Sequence, residues 1–217
     1  MINRENSYKF INLGVAVMAM VIVICIAVSL TVLARPLYYF DIENLQIPQN
    51  SGISAEACRL NYDTLIDYNM LWGEDELSFP TLRMSKTGKI HFEEVKDIFI
   101  TMQVVSLLGV VLLTCWIIYL KRKGAREENC LWMKYTFPVT ISVALLCAGA
   151  MIIDWQWAFI TMHQIFFDND YWIFNSYTDP VIKILPEEFF FHCGIMIVIL
   201  VILQITTLRM AFRRLLR

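Results

Sequence analysis

Hydrophobic positions along this chain fall in four long blocks, without the helical or strand alternation of a soluble domain. Residues 10–33 are apolar apart from Asn12, Ser29 and Thr31. A helix of that length rises about 36 Å, enough to cross a bilayer. Residues 98–120, 135–153 and 189–208 repeat the pattern. Four crossings follow, and helices are expected because lipid offers no partner to an open backbone. Val32 and Ala34 look like a signal cleavage site, yet the first block exceeds the roughly 7–15 apolar residues of a signal peptide. Arg35-Pro36 would also be a poor start for a mature chain. The block therefore reads as a retained anchor.

The same pattern divides the chain. Residues 1–34 hold the N-terminus and the first membrane helix, and 35–97 form a head. Residues 98–120 are the second membrane helix, 121–134 a basic loop, and 135–153 the third. Residues 154–188 make an aromatic and acidic loop, and 189–217 the fourth membrane helix and a basic tail. Within the head, residues 56–71 read as a helix with Leu60, Thr64, Leu65, Tyr68 and Leu71 near one face. β-prone pieces flank it at residues 37–40, and at 81–84 facing 89–92 across a Lys86-Thr87-Gly88 turn. The expected fold class is membrane α-helical: four transmembrane helices with a small mixed α/β head between helices 1 and 2. So small a head must lean on the membrane helices for stability.

Composition agrees with the blocks: 58% of residues are hydrophobic, 18% are charged, and the mean hydropathy is +0.55. Charge adds orientation. Arg4, Lys9, Lys121, Arg122, Lys123, Arg126, Lys134, Arg209, Arg213, Arg214 and Arg217 flank the blocks on one side, against only Glu5, Glu127 and Glu128 there. The positive-inside rule places both termini in the cytoplasm, and the head and residues 154–188 outside. These basic clusters are ordinary membrane flanks, and nothing points to nucleic acid. Cys58 is alone in the outward segments, so no disulfide framework forms there within one chain. It reads as a small buried hydrophobe before it reads as a nucleophile.

All three histidines fall on the outward side, and imidazole is the side chain that exchanges a proton near neutral pH. His91 precedes the second block, near the outer N-terminus of its helix, where the dipole favours neutral imidazole. Glu94 and Asp97, three and six residues on, can orient that ring; the plainer alternative is a polar helix start. His163 either continues the third helix or begins the loop. His192 stands inside the start of the fourth block, where an ionisable group is a site hypothesis by default or simply snorkels to the interface. The loop interleaves Trp155, Trp157, Phe159, Phe166, Phe167, Tyr171, Trp172, Phe174 and Tyr177 with Asp168, Asn169, Asp170, Asn175 and Asp179. An interfacial belt and a lipid-facing pocket fit this composition equally.

Several motifs are missing: His-Glu-x-x-His, Cys-x-x-Cys, a glycine-rich phosphate loop and Gly-x-Ser-x-Gly. The blocks hold almost no charge, which argues against a channel or transporter. Outer-leaflet chemistry remains, alongside two further readings. One is a zinc-dependent interfacial lipid hydrolase using His91, His163 and a carboxylate, although their sequence spacing is not diagnostic. The other is a non-enzymatic tetraspan module that binds a protein partner.

Three stretches narrow the choice: GKIHFEEVKDIF (88–99), FITMHQIFFDNDYW (159–172) and YTDPVIKILPEEFF (177–190). They resemble segments of the bacterial lipoprotein intramolecular transacylases, and the resemblance extends over nearly the whole chain. It implies a multi-pass enzyme of the bacterial cell membrane with its active site at the outer leaflet. Such an enzyme would move the sn-2 acyl chain of a diacylglyceryl lipoprotein onto the α-amine of that lipoprotein's own N-terminal cysteine, leaving a lyso-form product. The implied partners are diacylglyceryl-modified bacterial lipoproteins and membrane lipids, with no cofactor and no metal.

The resemblance also implies that His91 and His163 are catalytic. Glu94, Asp97, Asn169, Trp172, Asp179 and His192 are candidates for binding or orienting the substrate. Acyl transfer to an amine needs a base for the amine proton and an acid for the departing glycerol oxygen. Both reacting groups belong to one molecule, so proximity supplies much of the rate and no acyl-enzyme is required. One histidine would be the base while the other protonates the leaving oxygen or stabilises the oxyanion, and the sequence leaves that assignment open.

Overall fold

The computed structural model of the chain describes residues 2–123 and 131–215. Arg126, Cys130 and Arg217 lie outside the described residues, as do the side chains of Arg4, Lys9 and Lys123. Among the described residues nine helices run in order: α1 (Ile2–Leu33), α2 (Arg35–Asn44), α3 (Ile47–Ser51), α4 (Ala55–Tyr68), α5 (Lys86–Lys123), α6 (Leu131–Ile153), α7 (Trp155–Phe166), α8 (Val181–Ile184) and α9 (Glu187–Leu215). Four of them, α1, α5, α6 and α9, are long and apolar enough to cross a membrane.

In that bundle α1 packs against α5, α6 and α9, and α6 packs against α9. Small residues permit the close approach. Ala16 and Ala27 are wholly buried, and a Cβ added at Gly109 would lie 2.4 Å from Ile22 on α1. The outward faces carry exposed apolar side chains such as Leu108, Leu112, Leu146 and Leu203. Among soluble proteins such faces would be a liability; against lipid tails they are the normal surface.

The head is helical. No strand occurs among the described residues, so the expected α/β head is corrected to an all-α one. The reason is local at both places. Pro36 occupies the first turn of α2, where its missing N–H is harmless and its fixed φ suits a helix, so residues 37–40 are helical. Residues 86–88 form no hairpin turn because Ser85 caps a helix there: its Oγ accepts the Gly88 N–H at 3.0 Å. α5 thus runs unbroken from the head into the bundle, and His91 sits in its second turn. α4 forms with Ser54 as its N-cap, the Oγ accepting from Ala57 N. Its buried face is Cys58, Asn61, Tyr62, Leu65, Ile66 and Tyr68, while Leu60 and Leu71 are exposed, so the expected face is rotated. Gly52 closes α3 in the left-handed region at φ 73°, where a side chain is strained.

One core joins the head to the segment before α9. Tyr38 of α2 stacks on Tyr62 of α4 with centroids 3.8 Å apart, and both meet Phe189 edge-on. Tyr38 is fully buried, and its hydroxyl donates to the Ile184 carbonyl at 2.8 Å. Burying such aromatic rings contributes about 1.5–3 kcal/mol each. α7 starts as a separate helix because Asp154 breaks from α6 and caps the next turn, accepting from Trp157 N at 2.9 Å. That break turns α7 out of the line of α6 and frees it to carry His163 toward α5.

Candidate active site

Two elements far apart in sequence bring their imidazoles together. His91 on α5 and His163 on α7 have ring centroids 6.3 Å apart and planes 29° from parallel. Each is fixed differently. His163 Nδ1 lies 2.8 Å from the carbonyl of Phe159, one turn earlier on α7. A carbonyl only accepts, so Nδ1 carries the proton and Nε2 of the neutral ring keeps a lone pair. Burial lowers the His163 pKa below its usual 6.5, and the hydrogen bond to Phe159 partly opposes the shift. The neutral, proton-accepting form is therefore favoured. His91 is 5% exposed and its Nδ1 is buried without a hydrogen-bond partner among the described residues.

Aromatic rings wall the pair. Phe167 lies 4.7 Å from His91 and 5.7 Å from His163, Phe174 lies 5.4 Å from His91, and Trp172 lies 4.7 Å from His163. Phe159 lies 4.2 Å from His163. The loop after α7 thus bends back over both histidines, and its aromatic rings pack against them. Such walls limit water and strengthen the electrostatics of whatever polar group enters.

The other candidate residues divide. Glu94 stands one turn from His91, and its Oε1 accepts from Asn169 Nδ2 at 2.7 Å, so both belong to the site. Trp172 belongs to it through its ring. Asp97 does not: six residues turn it to the far side of α5, where it is exposed. Asp179 is 2% exposed and serves the backbone, with Oδ1 accepting from Ser85 N at 2.7 Å and Oδ2 from Thr178 Oγ1 at 2.6 Å. It holds the start of the helix that bears His91.

His192 forms no ring contact with the other histidines; its Nδ1 lies 2.9 Å from both carboxylate oxygens of Asp41, which is fully buried. Asp41 went unsingled in the sequence; an acid within the otherwise apolar-aromatic run of residues 37–42 was the available signal. Phe159 was also missed as the carbonyl orienting His163, although its i−4 spacing on a helix was readable. Cys58 is fully buried, and burial pushes its thiol pKa up, which suits a packing role. Among the described residues no three His, Cys, Asp or Glu side chains gather to hold a metal ion, so the zinc-dependent reading finds no ligand set there.

Chemically, the arrangement offers an oriented imidazole lone pair, a second imidazole beside it, a held carboxylate and an aromatic enclosure. That set fits proton transfer at a group carried on an apolar, membrane-borne substrate.

The comparisons with known proteins bear on the whole chain. The family model described as lipoprotein intramolecular transacylase Lit matches residues 13–190. The in meso structure of the membrane integral lipoprotein intramolecular transacylase Lit from Bacillus cereus matches with 29% identity and a TM-score of 0.87, covering 97% of this chain and 96% of that one. Two structures of that protein with one histidine changed to arginine or to alanine match with 28% identity and TM-scores of 0.81. They cover 99% of this chain and 94% and 96% of their own. No curated protein matches.

Proposed function

The chain belongs to the lipoprotein intramolecular transacylase family and is a membrane enzyme, and from that premise we propose that it moves the sn-2 acyl chain of a diacylglyceryl lipoprotein onto the α-amine of the same molecule's N-terminal cysteine. The observation that carries the residue assignment is the His91–His163 pair, with one imidazole held in a known tautomer. His163 Nε2 takes the amine proton as the nitrogen attacks the ester carbonyl carbon. The tetrahedral intermediate then collapses with cleavage of the carbon–oxygen bond to glycerol, and the imidazolium returns that proton to the glycerol oxygen. One amide forms, one ester breaks, and a hydroxyl remains on glycerol. His91 donates an N–H to the developing oxyanion, where a preorganised donor is worth most.

Glu94, Asn169 and Trp172 bind and orient the substrate, while Asp179 holds the start of α5 and His192 ties α9 to α2 through Asp41. The skew of basic residues supports cytoplasmic termini and an active site facing the outer leaflet of a bacterial cell membrane. The partners are diacylglyceryl-modified lipoproteins among membrane lipids.

Expression in a strain lacking lipoprotein N-acylation, followed by mass spectrometry of a reporter lipopeptide, tests this. Wild type should yield the N-acylated lyso form. His163→Gln should yield none. His91→Gln, which retains an N–H donor but cannot titrate, should retain measurable activity, whereas His91→Ala should lose roughly 10²–10³-fold, as expected for one oxyanion donor. Full activity in His163→Gln would refute the base assignment.

A further inference from the structure

Beside the histidine pair, the carboxylate oxygen Oε2 of Glu94 is buried and has no hydrogen-bond partner among the described residues. A buried polar atom left unpaired is costly and calls for an explanation. This carboxylate is not loose, because its other oxygen is held by Asn169 at 2.7 Å. Asn169 sits in the loop that lays Phe167 and Trp172 against the histidines, so the orientation of Glu94 is set by the same segment that encloses the site. Glu94 and His91, three residues apart on α5, project from neighbouring positions on one face. Nearby cations are engaged elsewhere: Lys89 pairs with Glu76, while Lys96 donates to the Glu74 carbonyl and lies over the Tyr68 ring. The oxygen is positioned to receive a cationic donor from outside the chain.

We propose that Glu94, aimed by Asn169, is the seat for the α-ammonium of the substrate's N-terminal cysteine, making a free amino terminus the feature for which this enzyme selects. The inference rests on the transacylase reading and deepens it by naming the group recognised. A primary ammonium brings a positive charge and three N–H donors, and the faces of neighbouring aromatic rings also favour a cation. To react, the ammonium first gives one proton to water and becomes the free amine; the second leaves through His163 to the glycerol oxygen, and the acylated nitrogen is a neutral amide with one N–H. The attraction to Glu94 disappears, which favours product release and rejects lipoproteins that are already N-acylated.

The test uses lipopeptides whose sn-2 chain is ether-linked, so that they bind without turnover. One carries a free amine and the other an N-acetyl group. Full-length wild type should bind the free-amine form about 10–100-fold more tightly, the range of one or two charge-assisted hydrogen bonds. Glu94→Gln keeps the shape and the Asn169 contact but presents a donor, and should abolish that preference. Asn169→Ala, which leaves the charge but removes its anchor, should lower the preference several-fold and serves if Glu94→Gln does not fold. A preference preserved in Glu94→Gln, or absent from wild type, overturns the proposal. Acyl transfer from the ester-linked lipopeptide is scored separately, so failure of the transacylase reading is seen as lost transfer with amine preference intact.

Discussion

Replacing Gly88 with alanine probes the contact that seats the His91 helix. A Cβ at Gly88 would lie 2.3 Å from Asp179 Oδ1 and 3.3 Å from Phe174 Cε1, where ordinary contact begins at 3.4 Å. Phe174 is part of the aromatic wall, and Asp179 is buried with both oxygens engaged, so neither is a free chain end. Oδ1 must retreat by about 1 Å, which carries its 2.7 Å bond to Ser85 N outside hydrogen-bond range. Losing a hydrogen bond to a buried carboxylate costs about 1.5–3 kcal/mol. The weakened charge at the helix N-terminus adds about 0.3–1 kcal/mol.

Against this, alanine gains about 1 kcal/mol of helix propensity over glycine. The net is a destabilisation of about 1–3 kcal/mol, with activity reduced because α5 and Phe174 both shift at His91. Thermal unfolding in detergent measures it, combined with Asp179→Ala in a double-mutant cycle. In the Asp179→Ala background the severe clash is gone and only the 3.3 Å approach to Phe174 remains, so Gly88→Ala should be near neutral. Equal effects in both backgrounds, or a Gly88→Ala protein as stable as wild type, would refute the reasoning.

His192→Ala leaves the fully buried Asp41 carboxylate without its histidine and should lower stability by about 3 kcal/mol, at the low end for a broken buried pair because His192 is 30% exposed; a melting temperature equal to wild type would count against the pair. For His163 the lowered pKa sets a sign. Above pH 6.5 the ring is neutral in folded and unfolded chains alike, and its contribution to stability is fully present. As pH falls below 6.5 the unfolded chain takes up the proton first, so wild type should lose stability relative to His163→Gln until the folded ring also titrates. The acid limb of kcat/KM should likewise have its midpoint below 6.5, and a midpoint at or above that value would contradict the buried-base assignment.

The membrane helices were legible because hydropathy acts over twenty residues at a time and no tertiary contact can reverse it. His91 and His163 stood out in the sequence through the long stretches around them, although nothing in their spacing required the rings to meet. The head was misread for a physical reason. The stretch Lys86-Thr87-Gly88 satisfies local turn preferences, but the Ser85 cap and an aspartate 94 residues away stabilise a helix start there. Gly88 looked like a turn glycine, whereas it is a point of close approach to Asp179. Asp41 and His192 are 151 residues apart, and no pattern in a single sequence pairs them. Glu94 was readable as a neighbour of His91 on a helix face. Its unpartnered oxygen was not, since that depends on where the distant loop places Asn169.

The unbroken course of α5 from head to far end ties the histidine pair to a helix long and apolar enough to cross a membrane. His91 stands seven residues before Ile98, the first residue of the apolar stretch, so it rides about 10 Å farther along a helix with no joint between them. A helix that is too long for its bilayer tilts, and a 10° tilt would swing a point at that height by about 2 Å. His163 is borne by α7, a separate short helix, and would not follow that swing in step. The spacing of the two imidazoles is then set partly by hydrophobic mismatch, and turnover in vesicles should pass through a maximum as lipid acyl chains are lengthened.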